Sequence, residues 1–334
     1  MRIAIALLPV LLFMGLLLAL DSFKLVRLRT VLGTVGLGGL AALVATRANI
    51  SLLDRTSLEV GLFSRYLAPL IEEALKAAWV VFVIRRQRVG FLVDAAIHGF
   101  AIGAGFALVE NVEYLRQLDS ASLALWMARG GGTAVLHGAT TATFAMLSKD
   151  RHDRSPGTLA FLPGYATAVA IHSLFNHFVL APLLAALLLL ATLPVVLMAV
   201  FERSEKTTRA WLGSEFDGEM GMLQSILSGR VAGTRTGAYL ESLKARFPGG
   251  VVADMLCLLQ IHLELSLRAK GILMAREAGL DMKVGDDVAA NFKELAYLET
   301  QIGLTGILAM KPILAMGSRA LWQMRMLQEE GRAS

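Results

Sequence analysis

The chain holds a single cysteine, Cys257. That excludes an internal disulfide framework and any cysteine-based zinc site. Charge is scarce as well: 18% of the 334 residues are Asp, Glu, Lys or Arg, where soluble domains average about 25%. No basic stripe with interleaved aromatic residues is visible, which argues against nucleic-acid binding. No internal repeat or low-complexity tract is visible either. Apolar residues take the place of charge. They make up 55% of the chain, and the mean hydropathy is +0.60. Composition alone therefore indicates an integral membrane protein whose main surroundings are a lipid bilayer.

Seven stretches read as transmembrane helices: 3–20, 31–47, 67–84, 91–115, 122–147, 158–180 and 183–201. A helix crosses the hydrocarbon in about 20 residues, so most of these lengths fit and the second is short. Ala19-Leu20-Asp21 is a poor cleavage signal, so the first stretch is expected to be a retained span. The net charge of +5 lies wholly in residues 1–200, which hold 16 basic and 11 acidic residues, against 16 and 16 from Phe201 onward. Basic clusters fall in alternate loops: Lys24, Arg27 and Arg29; Arg85, Arg86 and Arg88; Lys149, Arg151 and Arg154; Arg203, Lys206 and Arg209. The loops between them, with Asp54, Arg55, Glu59 and Arg65 or with Arg116 and Asp119, are poorer in net positive charge. The positive-inside rule then places the N-terminus outside and the C-terminus in the cytosol.

Residues 202–334 differ in texture. Charges recur every few residues, and apolar positions follow a helical period in 250–276 and 288–301. The stretch Ile302 to Met316 is apolar but short and carries Lys311 and Pro312, which suits a core or interfacial helix better than an eighth span. The expected fold is all-α: a polytopic transmembrane helix bundle of about seven spans over residues 1–201, then a soluble helical cytosolic domain over 202–334. That domain leaves room for a cytosolic partner. Within the spans, Gly99 and Gly103, and Ala101 and Gly105, stand four apart, a spacing that lets helix backbones approach closely. Gly130-Gly131-Gly132 suggests a helix break or a flexible entrance.

Polar residues interrupt four spans. Glu72, Glu73 and Lys76 lie in the third, Glu110 and Asn111 in the fourth, His137 and Thr141 in the fifth, His172, Asn176 and His177 in the sixth. A charge at the bilayer centre costs about 2.5–3.5 kcal/mol on insertion scales, so such groups are expected to meet one another. Glu72 and Lys76, Phe106 and Glu110, His137 and Thr141, and His172 and Asn176 each stand four apart and share a helix face, so each span offers one polar stripe to the interior. At 1.5 Å per residue Glu72 lies about 9 Å deep, and Glu110 about as deep, so the convergence falls in the outer half of the membrane. A carboxylate in an apolar site suits a general base, and His and Asn can donate to a tetrahedral oxyanion. Alternatively, two histidines and a carboxylate can hold Zn²⁺, with Glu110, His137 and His172 as the candidate ligands. Lys76 is expected to be a counter-ion to Glu72, Asp94 and His98 an interhelical pair, His177 an interfacial histidine, and Thr141 bonded back to its own helix.

The strings Glu72-Glu73-x-x-Lys76, Phe106-x-x-x-Glu110-Asn111, His137-x-x-x-Thr141 and His172-x-x-x-Asn176 resemble the four motifs of the PrsW family of membrane proteases, in order. That family belongs with the CAAX-prenyl-protease-like superfamily, and the resemblance covers about residues 60–180. It implies a bacterial inner-membrane endopeptidase making a site-1-type cut in a single-span membrane protein such as an anti-sigma factor. It implies that Glu72 or Glu73 is the essential base, with Glu110, His137, His172 and Asn176 around it. Members are labelled metalloproteases, while related enzymes are argued to use a glutamate-activated water; both alternatives stay open. Two competing functions remain. One is an inactive membrane scaffold signalling through residues 202–334. The other is a proton-coupled transporter, which would show paired inverted repeats that the sequence lacks.

Overall fold

Apolar runs without strand-like alternation leave the backbone one way to satisfy its own polar groups in lipid, and the chain takes it. The computed structural model describes residues 2–117, 132–177, 179–280, 282, 284–314 and 317–331, and all regular structure among them is helical. The longer helices among the described residues begin with α1 (Arg2–Leu20), α2 (Leu28–Arg55), α3 (Ala68–Arg85), α4 (Leu92–Gln117), α5 (Ala134–Arg154), α6 (Leu162–Asn176) and α7 (Pro182–Leu227). Four more follow: α8 (Arg235–Leu243), α9 (Gly249–Glu277), α10 (Asp286–Met310) and α11 (Ser318–Gly331). The contacts divide the chain into two compact units, Met1–Glu205 and Lys206–Ser334. The change of texture after residue 201 is not a helix boundary, because α7 runs on without a break to Leu227.

Five helical stretches among the described residues are long and apolar enough to cross a membrane: Leu28–Arg55, Leu92–Tyr114, Thr158–Asn176, Leu183–Leu227 and Gly249–Glu277, with Leu7–Leu20 a shorter apolar one. Four of them coincide with the expected second, fourth, sixth and seventh spans. The second is longer than its apolar core suggested, because its helix continues through Arg47 to Arg55. The third and fifth spans miss the criterion on composition, since α3 holds Glu72, Glu73, Lys76 and Arg85 and α5 ends in a charged turn. The start of the fifth span, with Gly130 and Gly131, lies outside the described residues.

In the first unit α4 runs through the middle, packed on α5, α2, α1 and α3. Its glycines explain how closely. A Cβ on Gly99 or Gly103 would sit 2.5 Å from Thr141 O or 2.2 Å from His137 O, both on α5. A Cβ on Gly105 would sit 1.9 Å from Val35 O on α2, and one on Gly38 of α2 would sit 2.1 Å from Ile102 O. The four-residue spacing thus serves α5 through Gly99 and Gly103, and Gly105 serves a different neighbour. Val10, Phe13 and Leu17 of α1 pack on Ile97 and Phe100, and Leu193, Leu197 and Phe201 of α7 belong to the same apolar cluster. Asp94 does not pair with His98. Its carboxylate accepts from the N–H groups of Gly90 at 2.7 Å and Phe91 at 2.8 Å. The amides at a helix start have no intrahelical acceptor, so the nearest carboxylate closes the end of α4.

In the second unit α9 packs on α10, α11 and α8. Ile302, Met310 and Leu314, from the short apolar stretch, are buried in its core with Met255 and Leu259. Lys270 of α9 is fully buried and compensated by Glu215 at 3.0 Å and Glu219 at 2.8 Å.

Candidate active site

The site begins with a proline. Pro69 has no N–H to give, and its ring displaces the carbonyl four residues back, that of Arg65. The chain relaxes into a π-helical turn over Phe63–Leu67, in which Ala68 N–H bonds to Phe63 O. Such turns are frequent at functional sites. The carbonyls set free are taken up by α6: Ser173 Oγ donates to Arg65 O at 2.6 Å, and Asn176 Nδ2 to Ser64 O at 3.0 Å. His177 lies in the same patch. Its Nδ1–H faces Ser173 O at 2.7 Å, so its Nε2 accepts from the Tyr66 hydroxyl at 3.0 Å. The entry to α3 is thereby clamped to the end of α6, which fixes where the next turn of α3 points.

That turn carries Glu72, Glu73 and Lys76. Lys76 Nζ donates to Glu73 Oε1 at 2.6 Å, with the two side chains 0% and 2% exposed. This corrects the expected pairing with Glu72. Residues three apart share a helix face as well as residues four apart, and Glu73 is the one turned inward. The same oxygen of Glu73 lies 2.8 Å from His172 Nδ1 and accepts from Thr140 Oγ1 at 3.3 Å. A carboxylate only accepts, so Nδ1 of His172 carries the proton and Nε2 is left free. That Nε2 stands 3.8 Å from Glu72 Oε2.

His137 is fixed from both sides. Its Nδ1 is 3.0 Å from Lys76 Nζ and its Nε2 is 2.8 Å from Glu110 Oε2. An ammonium only donates, so Nδ1 accepts and Nε2 carries the proton toward Glu110. The rings of His137 and His172 meet edge to face with centroids 4.9 Å apart, and Phe106 packs on His137 at 5.0 Å and under Lys76 at 4.8 Å.

The structure therefore brings together Glu72, Glu73, Glu110, His137 and His172, from four helices. Asn176 instead holds the π turn, one helical turn beyond His172. Thr141 bonds back to His137 O at 2.9 Å. Two neighbours were not foreseen. Thr140, three residues after His137, shares its face and reaches Glu73 Oε1. Asn49 of α2 donates to Glu72 Oε1 at 3.1 Å. It lies beyond the motif region, and only its place as a polar residue near the end of an apolar helix marked it.

Glu72, His137 and His172 each offer one ligand atom within 4.8 Å of the other two. Glu72 stands in this trio, and Glu110, the carboxylate expected there, is hydrogen-bonded to His137 Nε2. The donor chemistry fits a divalent cation. His172 is backed by the Glu73 carboxylate, the usual support of a metal-binding imidazole, with Nε2 free. His137 would have to exchange one present partner for the ion.

Carboxylates and imidazoles gathered inside an apolar helical bundle are the groups an intramembrane hydrolase requires. A sequence profile of the PrsW family of intramembrane metalloproteases matches residues 24–201, just over half of the chain. The chain belongs to that family; it is a multi-pass membrane protein and an intramembrane protease, and its substrate is a membrane protein. Searches of curated proteins and of solved structures return no match.

Proposed function

We propose that the protein hydrolyses a peptide bond of a single-span membrane protein at the place where α3, α4, α5 and α6 meet, with Glu72 activating the water. The observation that carries this is the difference between the two adjacent glutamates. Glu73 is 2% exposed, and one of its oxygens already serves Lys76, His172 and Thr140. It orients. Glu72 is 12% exposed, and its Oε2 makes no hydrogen bond among the described residues. It has a lone pair for a proton.

In this scheme Glu72 takes a proton from water as the oxygen attacks the carbonyl carbon. His137 Nε2–H, now given to Glu110, is the donor for the resulting oxyanion. Lys76 keeps that proton on Nε2 by occupying Nδ1. Glu72 then returns its proton to the leaving amine as the C–N bond breaks. A divalent cation is the alternative to this scheme: Glu72, His137 and His172 would hold it, His137 giving up Lys76 or Glu110 to do so, and it would supply Lewis-acid polarisation of the water.

The family resemblance supports site-1-type cleavage of a substrate such as an anti-sigma factor in a bacterial inner membrane. The alternation of basic loops supports an outside N-terminus and a cytosolic residue 202–334 domain, in which the buried Lys270 and its two glutamates suit a soluble core. The test is cleavage of a single-span substrate in proteoliposomes, with the cut mapped by mass spectrometry. A cut near the outer end of the substrate's span, absent in the Glu72→Ala/Glu73→Ala double variant, is expected. Full cleavage by the double variant refutes the proposal.

A further inference from the structure

Within the cluster, Glu73, Lys76, His137, His172 and Thr140 all have partners. Asn49 beside it is only half satisfied. Its Nδ2 donates to Glu72 Oε1 at 3.1 Å, and its Oδ1 is buried without a hydrogen-bond partner in the protein. With Nδ2 on Glu72 Oε1, the carbonyl oxygen of the amide turns away from the carboxyl group. A buried acceptor without a partner is disfavoured, and most native structures avoid it. Here it stands one side chain away from the carboxylate assigned to water activation.

Peptide hydrolysis inside a membrane exposes a second need. A substrate helix must unwind around the bond to be cut, and each main-chain N–H released in an apolar setting needs an acceptor. An acceptor fixed next to the attacking water would hold the unwound segment in register with it. Resting on the peptidase role of Glu72, we infer that Asn49 is a substrate-binding residue. Its Oδ1 accepts a main-chain N–H of the unwound substrate segment next to the scissile bond, while its NH₂ group positions Glu72. The site thus extends onto α2, and its ligand is a peptide backbone, not a side chain of defined type.

The two halves of the amide separate experimentally. Single-span substrates are made with one backbone amide at a time replaced by an ester, which removes one N–H, and are cleaved by the full-length protein in proteoliposomes. For the wild type, one position flanking the cut is expected to raise KM about 3- to 10-fold, the size of one hydrogen bond. Asn49→Ala is expected to carry that KM defect already on the all-amide substrate and to show no further loss with that ester. Asn49→Asp keeps an acceptor oxygen but loses the donor to Glu72. It is expected to keep the ester sensitivity and to lose kcat. If the wild type cleaves and every ester effect is simply additive with Asn49→Ala, the inference is overturned and the peptidase role stands. Should Asn49→Ala fail to fold, loss of ester sensitivity in Asn49→Asp overturns it alone. A wild type inactive on every substrate removes both.

Discussion

Glu73 and His172 stand 99 positions apart in the chain, and Oε1 of one lies 2.8 Å from Nδ1 of the other. The contact joins α3 to α6, and the clamp of α6 on the π turn before α3 holds it in register. The pair keeps the imidazole turned so that Nε2 faces Glu72.

The Glu73–Lys76 pair is buried on both sides, so breaking it by half is costly. Glu73→Gln is expected to destabilise the protein by about 3–5 kcal/mol, because an ammonium is left without its carboxylate. Thermal denaturation in detergent reads this. The double variant Glu73→Gln/Lys76→Met is expected to recover most of the stability and none of the cleavage. Equal stability losses in single and double variants would contradict the pairing.

Gly103 controls the position of His137. A Cβ there would stand 2.2 Å from His137 O, whereas one on Gly36 of α2 meets nothing within 4 Å. Gly103→Ala is expected to lower kcat about 100-fold, the scale of a displacement near 1 Å in an active site. Gly36→Ala is expected to leave kcat unchanged. Steady-state kinetics on one substrate compare the two.

His172 and Asn176 share a helix face but have different work. His172→Ala is expected to abolish cleavage. Asn176→Ala removes one hydrogen bond to the π turn and is expected to cost about 1 kcal/mol of stability with activity reduced far less. Similar activity losses would return Asn176 to the catalytic group.

Lys76 Nζ stands 3.0 Å from His137 Nδ1, one of the two nitrogens with which His137 could hold an ion. Lys76→Met removes one positive charge and frees that nitrogen, and is expected to tighten divalent-cation binding at least about tenfold. His172→Ala is expected to weaken it by at least as much. Equilibrium dialysis against Zn²⁺ measures both, independently of cleavage.

Much of the site was legible in the sequence because charged residues inside apolar runs have few places to go. Glu73, Glu110, His137 and His172 had to face the bundle interior, and spacing by helical turns said which face. What the sequence left open was choice within a face. Three- and four-residue spacings are both neighbours, so Lys76 could take either glutamate, and the tertiary rotation of α3, set by Pro69, decided for Glu73. Thr140 and Thr141 posed the same ambiguity. Asp94 and His98 were four apart, but unsatisfied backbone amides at the start of α4 outbid the imidazole. Asn49 carries no spacing signal at all, since its partner is 23 positions away on another helix. The continuity of α7 past residue 201 was hidden because a helix can change from lipid-facing to charged composition without any break in its backbone.

The central claim is that Glu72 activates the water. The most direct measurement is the rate of cleavage of a reconstituted single-span substrate by Glu72→Gln, which keeps the size and the contact with Asn49, with its melting temperature measured beside the wild type. An unchanged melting temperature with a rate reduced at least about 1,000-fold is expected. Cleavage by Glu72→Gln at close to the wild-type rate would contradict the claim.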